Sequence, residues 1–347
     1  NLARDRSGLT GENPSVGCVI VKNDKVISLG QTGINGRPHA EFNAIKSCKY
    51  NLKDAKMYVS LEPCTHYGKT PPCSNFIIKS KIKEVIFSII DVDKRTQSKS
   101  FKVFKDKNIK VKSGLLKNEA NKIYKSYIHS KNKKLPFVTG KLAVSKDNFI
   151  FSKNKKRITN HYSDNITQLL RYKNDAILIS SKTLNIDNPK LNCRIRGLSE
   201  YSPRRVILDK NLSTKQTSYI FKTSNRKNTI IIYNKATKKK IKQFKKNGVK
   251  LIKLNNKSNG FFDLKLILSK IYLLGCRNLL VEGGKTLTSN FLKGNLFNQF
   301  FLFQSDSNLG KNAKLNVATQ LRQLSFKYKT KCKLNSFTGN DIIYLYS

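Results

Sequence analysis

Short apolar runs alternate with stretches of helical spacing along nearly the whole chain, and this alternation restricts the fold more than any other feature. Residues 16–21 read as a strand and 40–47 as a short helix. Residues 57–61 are again strand-like, 74–80 helical, 84–90 and 109–111 strand-like, and 116–129 carry helical spacing. A βαβ rhythm of this kind predicts a sheet covered by helices. The polar stretch 130–136 (SKNKKLP) then ends in a proline, which disfavours helix in the residue before it. A domain boundary is placed there, giving domains 1–133 and 134–347. Beyond it the rhythm restarts, with strands expected at 137–144, 176–179, 205–208, 229–233, 249–254 and 278–281. Two of the helices between them end at Gly248 and Gly275, the residue that best tolerates the left-handed conformation closing a helix. Residues 297–303 and 341–346 read as closing strands, and no internal repeat is visible. Two α/β domains also suit a length of 347 residues.

Composition excludes several classes. A hydrophobic content of 38% is ordinary for a globular chain, which argues against disorder. No apolar run approaches the roughly 18 residues that would span a bilayer, so no membrane association is expected. Seven cysteines, an odd number scattered along the chain, suit reduced thiols in the cytoplasm rather than a disulfide framework. The only methionine is Met57, so the chain is expected to begin inside a truncated element. The formal charge of +47 is spread along the whole chain, with short runs only at 131–134, 153–157 and 238–240. A polynucleotide groove would interleave aromatic with basic residues. No such patch is evident, so no specific nucleic-acid partner is expected and most lysines are read as solvated surface. The positive field still suits a phosphorylated small molecule.

Chemistry enters at His39-Ala40-Glu41, Glu62-Pro63-Cys64 and Pro71-Pro72-Cys73. Catalytic zinc takes three protein ligands in a tetrahedral set and keeps one position open. One imidazole and two thiolates, His39, Cys64 and Cys73, supply that set. Such a metal brings the ionisation of water towards neutral pH, and Glu41, two residues from a ligand, is suited to move the protons. The layout follows the zinc-deaminase signature of H-x-E and a later pair of cysteines, but residues 65–72 separate Cys64 from Cys73 where two residues are usual. That insert is polar with one Gly and two Pro, so it should loop beside the metal and bring His66 and Lys69 to the substrate.

Asn13-Pro14-Ser15-Val16-Gly17, the His39-Ala40-Glu41 segment and LEPCTHYGKTPPC (61–73) together resemble the RibD family, bifunctional riboflavin-biosynthesis enzymes in which a pyrimidine deaminase is fused to a reductase. The resemblance covers nearly the whole chain. It implies an N-terminal cytidine-deaminase-like three-layer α/β domain and a C-terminal dihydrofolate-reductase-like domain, with Zn2+ and NADPH as cofactors. In the first domain it implies His39, Cys64 and Cys73 as metal ligands, Glu41 as catalytic residue, and Asn13, His66 and Lys69 as substrate contacts. The second domain matches at 141–147 (KLAVSKD), 169–171 (LLR), 175–194 (DAILISSKTLNIDNPKLNCR), 205–209 (RVILD) and 281–287 (VEGGKTL). There it implies Ala143, Arg157, Thr183, Asp187, Gly284, Lys285, Thr286, Leu287, Thr288, Ser289 and Asn290 at the NADPH site. Lys155, Arg171, Leu191, Arg194 and Glu282 would meet the substrate, and a homo-oligomer is implied. From the residues alone, a strand ending in Gly283-Gly284 and opening a helix lets backbone approach phosphate, and arginines suit a phosphate because the guanidinium forks onto two oxygens. The same reading leaves Asn13 equally a turn residue before Pro14, Asp187 a capping residue and Arg171 a surface arginine.

The sequence departs from the family pattern at defined points. Ser145-Lys146-Asp147-Asn148 stands where a Ser-Leu-Asp-Gly run is usual, and Asp91-Val92-Asp93-Lys94 replaces Asp-Pro-Asn-Pro. Arg157 and Lys155 take the places of a tryptophan and a serine. The leading expectation is zinc-dependent hydrolytic deamination of a phosphoribosylated diaminopyrimidinone, then NADPH reduction of the ribosyl to the ribityl group. Hydride would go to C1′ of the opened sugar or of its imine. The alternatives are a deaminase with an impaired reductase and a nucleic-acid-acting zinc deaminase.

Overall fold

The computed structural model describes residues 1–153, 157–258 and 260–347. The chain divides into two compact units, Asn1–Leu135 and Pro136–Ser347, against an expected division after residue 133.

In the first unit the elements run α1 (Leu2–Asp5), β1 (Gly17–Lys22), β2 (Lys25–Gln31), α2 (Ala40–Ser47), β3 (Lys56–Val59), α3 (Cys73–Lys79), β4 (Glu84–Phe87), α4 (Lys99–Lys105), β5 (Lys110–Ser113) and α5 (Lys117–Lys133). The sheet order is β2-β1-β3-β4-β5. The β1–β2 and β1–β3 pairs are antiparallel, whereas β3, β4 and β5 run parallel. Strand β4 is buried at all four positions, as a strand covered on both faces must be. Cys18 stands opposite Gly30, so these two share one face and Gly17 points to the other. A Cβ on Gly30 would meet the start of α2, and one on Gly17 would meet α1. Helices therefore cover both faces, a three-layer α/β arrangement with Ile20, Met57, Ile77, Val85 and Phe87 among the buried core.

Strand β2 was not anticipated. Val26 and Leu29 on it are 60% and 54% exposed, so an edge strand breaks the correlation between apolar residues and burial that strand reading uses.

The second unit runs β6 (Phe137–Val144), β7 (Phe149–Ser152), α6 (His161–Tyr172), β8 (Ala176–Ser180), α7 (Ser181–Asp187), β9 (Arg204–Leu208), α8 (Tyr219–Lys222), β10 (Thr229–Tyr233), α9 (Lys238–Lys246), β11 (Lys250–Lys253), α10 (Leu264–Leu273), β12 (Asn278–Glu282), α11 (Lys285–Lys293), β13 (Gln299–Gln304), β14 (Ala313–Asn316), α12 (Ala318–Lys327), β15 (Lys331–Lys333) and β16 (Ile342–Tyr346). Nine strands form one sheet in the order β11-β10-β9-β8-β12-β6-β13-β16-β15. It is parallel from β11 to β13 and closes with antiparallel β16 and β15. Strands β14 and β7 pair separately. The parallel strands are near-continuous apolar runs, such as TIIIY in β10, because both their faces are buried. Gly248 and Gly275 follow α9 and α10 with φ of 79° and 86°, the left-handed closure expected of them. No helix among the described residues is long and apolar enough to cross a membrane.

The Gly30 contact places the helix that carries Glu41. A Cβ there would lie 2.1 Å from the Ala40 carbonyl oxygen and 2.6 Å from the Ala44 nitrogen, both backbone atoms. Gly30→Ala is expected to destabilise the first unit by about 1–3 kcal/mol and to lower its metal content. An unchanged denaturant midpoint would show that α2 moves aside without cost.

Candidate functional site

Two helix starts and one loop converge in the first unit. His39 caps α2 with an extended backbone (φ −71°, ψ 156°), and Glu41 follows in the first turn. Pro72 caps α3, so Cys73 is the first residue of that helix and its N–H is free of intrahelical partners. Cys64 sits in the loop leaving β3, and it receives that N–H on its sulfur at 3.2 Å. His39 Nδ1 lies 3.3 Å from Cys73 Sγ and 3.6 Å from Cys64 Sγ. The three ligand atoms fall within 4.8 Å of one another.

Electrostatics point the same way. A hydrogen bond from the Cys73 thiol, helped by His39 and the Cys73 N–H, pulls Cys64 well below the usual thiol range and favours its thiolate form. Cys73 is pushed up by its bond to that thiolate and by burial, while the bond to Cys64 raises His39. Burial, and then the Cys64 charge, raise Glu41 to about 7. Glu41 is 3% exposed and its Oε2 has no hydrogen-bond partner. An orphaned buried oxygen is costly unless a further group completes it. The donor set of one imidazole nitrogen and two sulfurs fits zinc, and a bound dication favours the thiolate form of both cysteines.

Around this cluster, Asn13 donates from Nδ2 to the Gly36 carbonyl at 2.9 Å and so steadies the turn before His39. His66 Nδ1 lies 3.0 Å from the Thr96 hydroxyl, and burial lowers its pKa. Lys69 is exposed on the ligand loop. Arg37, which the sequence reading passed over, donates to the Thr70 hydroxyl and fastens that loop.

In the second unit a cavity of about 260 Å3 opens beside the carboxyl ends of β6, β8 and β12. Ala143, Thr183, Asp187, Glu282 and residues 283–287 line it, as do Lys141 and Lys182. Thr288 is buried, Ser289 accepts from Gln320 Nε2, and Asn290 faces a different cavity with Lys257 and Phe261. Arg157 is turned to Asp164 at 3.2 Å, and Lys155 lies outside the described residues.

Arg171 is 7% exposed and donates from Nε and Nη2 to the two oxygens of Glu282, at 2.8 and 2.9 Å, and from Nη1 to the Asn192 carbonyl. The fork expected to meet a phosphate is thus engaged within the protein, while Arg194 is exposed beside Asn192. Leu191 is buried with φ of 53°. Burial would raise Glu282, but the Arg171 charge and bonds outweigh it and hold the carboxylate below its usual range. Lys141 stands in register with Glu282 across β6 and β12, and burial lowers its pKa. It was legible as the single charge in FVTGKLAV, but sequence reading assigned it no role.

Comparisons with known proteins fit this geometry. The family description "Cytidine and deoxycytidylate deaminase zinc-binding region" matches residues 1–89, and "RibD C-terminal domain" matches 136–344. The riboflavin biosynthesis protein RibD of Aquifex aeolicus is 30% identical, over 99% of this chain and 94% of that protein. That of Actinobacillus pleuropneumoniae is 32% identical, over 99% and 91%. Acinetobacter baumannii RibD superposes with a TM-score of 0.84 at 26% identity, covering 99% of this chain and 96% of the other. The Thermotoga maritima diaminohydroxyphosphoribosylaminopyrimidine deaminase/5-amino-6-(5-phosphoribosylamino)uracil reductase gives 0.81 at 29% identity, covering 99% and 95%. With a deaminase-type cluster in one unit and a cleft at the strand ends of the other, the chain belongs to the RibD family.

Proposed function

We propose that the chain deaminates 2,5-diamino-6-(5-phosphoribosylamino)pyrimidin-4-one and then reduces the ribosyl group of the product to ribityl, with zinc and NADPH as cofactors. The observation that carries the first half is the unpartnered, buried Glu41 Oε2 beside the His39, Cys64 and Cys73 ligand atoms. Zinc held by those three residues supplies the Lewis acidity that makes a water nucleophilic near neutral pH. Glu41, raised to about 7, is matched to take a proton from that water and pass it to the ring nitrogen, and then to take the proton of the hydroxyl added to the ring and pass it to the departing amine. Asn13, His66 and Lys69 would position the pyrimidine and its phosphoribosyl arm.

For the second half, the cavity beside Gly283-Gly284 would take NADPH, with residues 284–287 and Thr183 on the cofactor. The start of α11 offers free N–H groups to its phosphates. Glu282, held ionised by Arg171 and facing Lys141, would orient the sugar for hydride transfer to C1′ of the open chain or its imine. Arg194, the exposed arginine, is the better placed of the two for the substrate phosphate. All seven cysteines are unpaired, which supports a reducing, cytoplasmic setting. We read the chain as a homo-oligomer on its family membership, which light scattering on the full chain tests directly.

Glu41→Gln is expected to keep zinc and to slow deamination by roughly 10²–10⁴-fold; a variant that deaminates normally sinks this assignment. Supplying the deaminated intermediate should drive NADPH oxidation by the unmodified protein, and its absence removes the reductase half. Arg171→Ala leaves a partly buried Glu282 uncompensated, so it should cost about 3–5 kcal/mol in the second unit's stability together with NADPH oxidation. Retention of both in thermal melts and assays would make the ion pair dispensable.

A further inference from the structure

Glu62 is as buried as Glu41, at 3% exposure, and it stands two residues before the ligand Cys64. Its carboxylate is turned wholly to another segment. Oε2 accepts from the N–H of Asp91 at 3.1 Å and of Ser98 at 3.0 Å. Oε1 accepts from the N–H of Ser100 at 3.1 Å and from its hydroxyl at 2.8 Å. Charge-assisted bonds to every oxygen are what make a buried carboxylate tolerable. The donors come from both ends of residues 91–100, so one side chain closes this loop. Ser98 holds a left-handed backbone (φ 60°, ψ 2°), a conformation that persists for a non-glycine residue only where its surroundings impose it.

The middle of the loop reaches the metal site. Thr96 is fully buried, and its hydroxyl meets His66 Nδ1 at 3.0 Å. Two further anchors hold the same stretch: Tyr127 donates to Asp91 at 2.8 Å, and Asp93 pairs with Arg95 and Lys131 at 2.7 and 2.8 Å. The Thr96 N–H donates to the Asp93 carbonyl at 2.8 Å. This is the segment in which Asp91-Val92-Asp93-Lys94 departs from the family pattern.

We propose that Glu62 is a positioning residue of the deaminase, which acts through the 91–100 loop and the Thr96 hydroxyl to set the ring orientation of His66. With Nδ1 committed to Thr96, Nε2 is the nitrogen left for the pyrimidine, and its donor or acceptor character follows from the Thr96 bond. The inference rests on the reading of His66 as a substrate contact.

Two readouts separate the failure of that reading from failure of the proposal. In the zinc-loaded full chain, nitrogen NMR of the imidazoles reports the His66 tautomer without any substrate; with four histidines in the chain, His66→Asn assigns the signal. Thr96→Val and Glu62→Gln should each move that signal, and Thr96→Ser should restore it. Both variants should retain zinc, raise the KM for deamination about three- to tenfold, the worth of one hydrogen bond, and leave kcat within about threefold. Their effects on KM should fail to multiply in the double variant, as for two changes on one path. An unmoved His66 signal in Thr96→Val, or multiplicative effects in the double variant, would overturn the proposal. A shifted signal with unchanged KM would instead remove His66 from the substrate contacts. Should Glu62→Gln lose zinc, Ser100→Ala withdraws a single donor, and the same shift is expected from it; no shift there overturns the role of Glu62.

Discussion

The first turn of α2 rests on the backbone of β2 at Gly30, where no side chain fits. That contact decides where His39 and Glu41 stand, because both belong to the start of the helix. The opposite partner comes from α3, whose first residue is the ligand Cys73 and whose free N–H meets Cys64. The Cys73 thiol is the main cause of the lowered Cys64 pKa, and His39 and the Cys73 N–H at the open helix start add to it. The metal-binding chemistry is thus a consequence of two helices starting at the same place on one sheet.

Two buried glutamates in this unit show how environment separates chemistry from support. Glu62 has both oxygens saturated by four donors, all from the 91–100 loop. Glu41 keeps an oxygen without a partner, and burial brings its pKa to about 7. The same side chain is therefore an anchor in one position and an acid–base group in the other. In the second unit Glu282 follows a third course, ionised by a bidentate arginine at the edge of a cavity.

Much of this was legible in the chain. The strands with both faces covered, such as β6 and β10, announce themselves as apolar runs, and Gly248 and Gly275 mark helix ends. Strands β2 and β15 did not, since an edge strand carries exposed residues and loses the pattern. His39, Glu41, Cys64 and Cys73 stood out because few residue types bind zinc or move protons, so their order along the chain is informative by itself.

Sequence alone determined the element rhythm, the family resemblance and the ligand types, all properties of short segments. Only the tertiary structure decided which partners each charge meets. Arg171 faces Glu282 across 111 positions, Arg157 meets Asp164, and Glu62 closes a loop that begins 29 residues later. Such pairings join segments whose spacing carries no signal. They are set by how sheets and helices pack, and for Arg171, Glu282 and Glu62 a buried charge must be matched wherever the fold brings it.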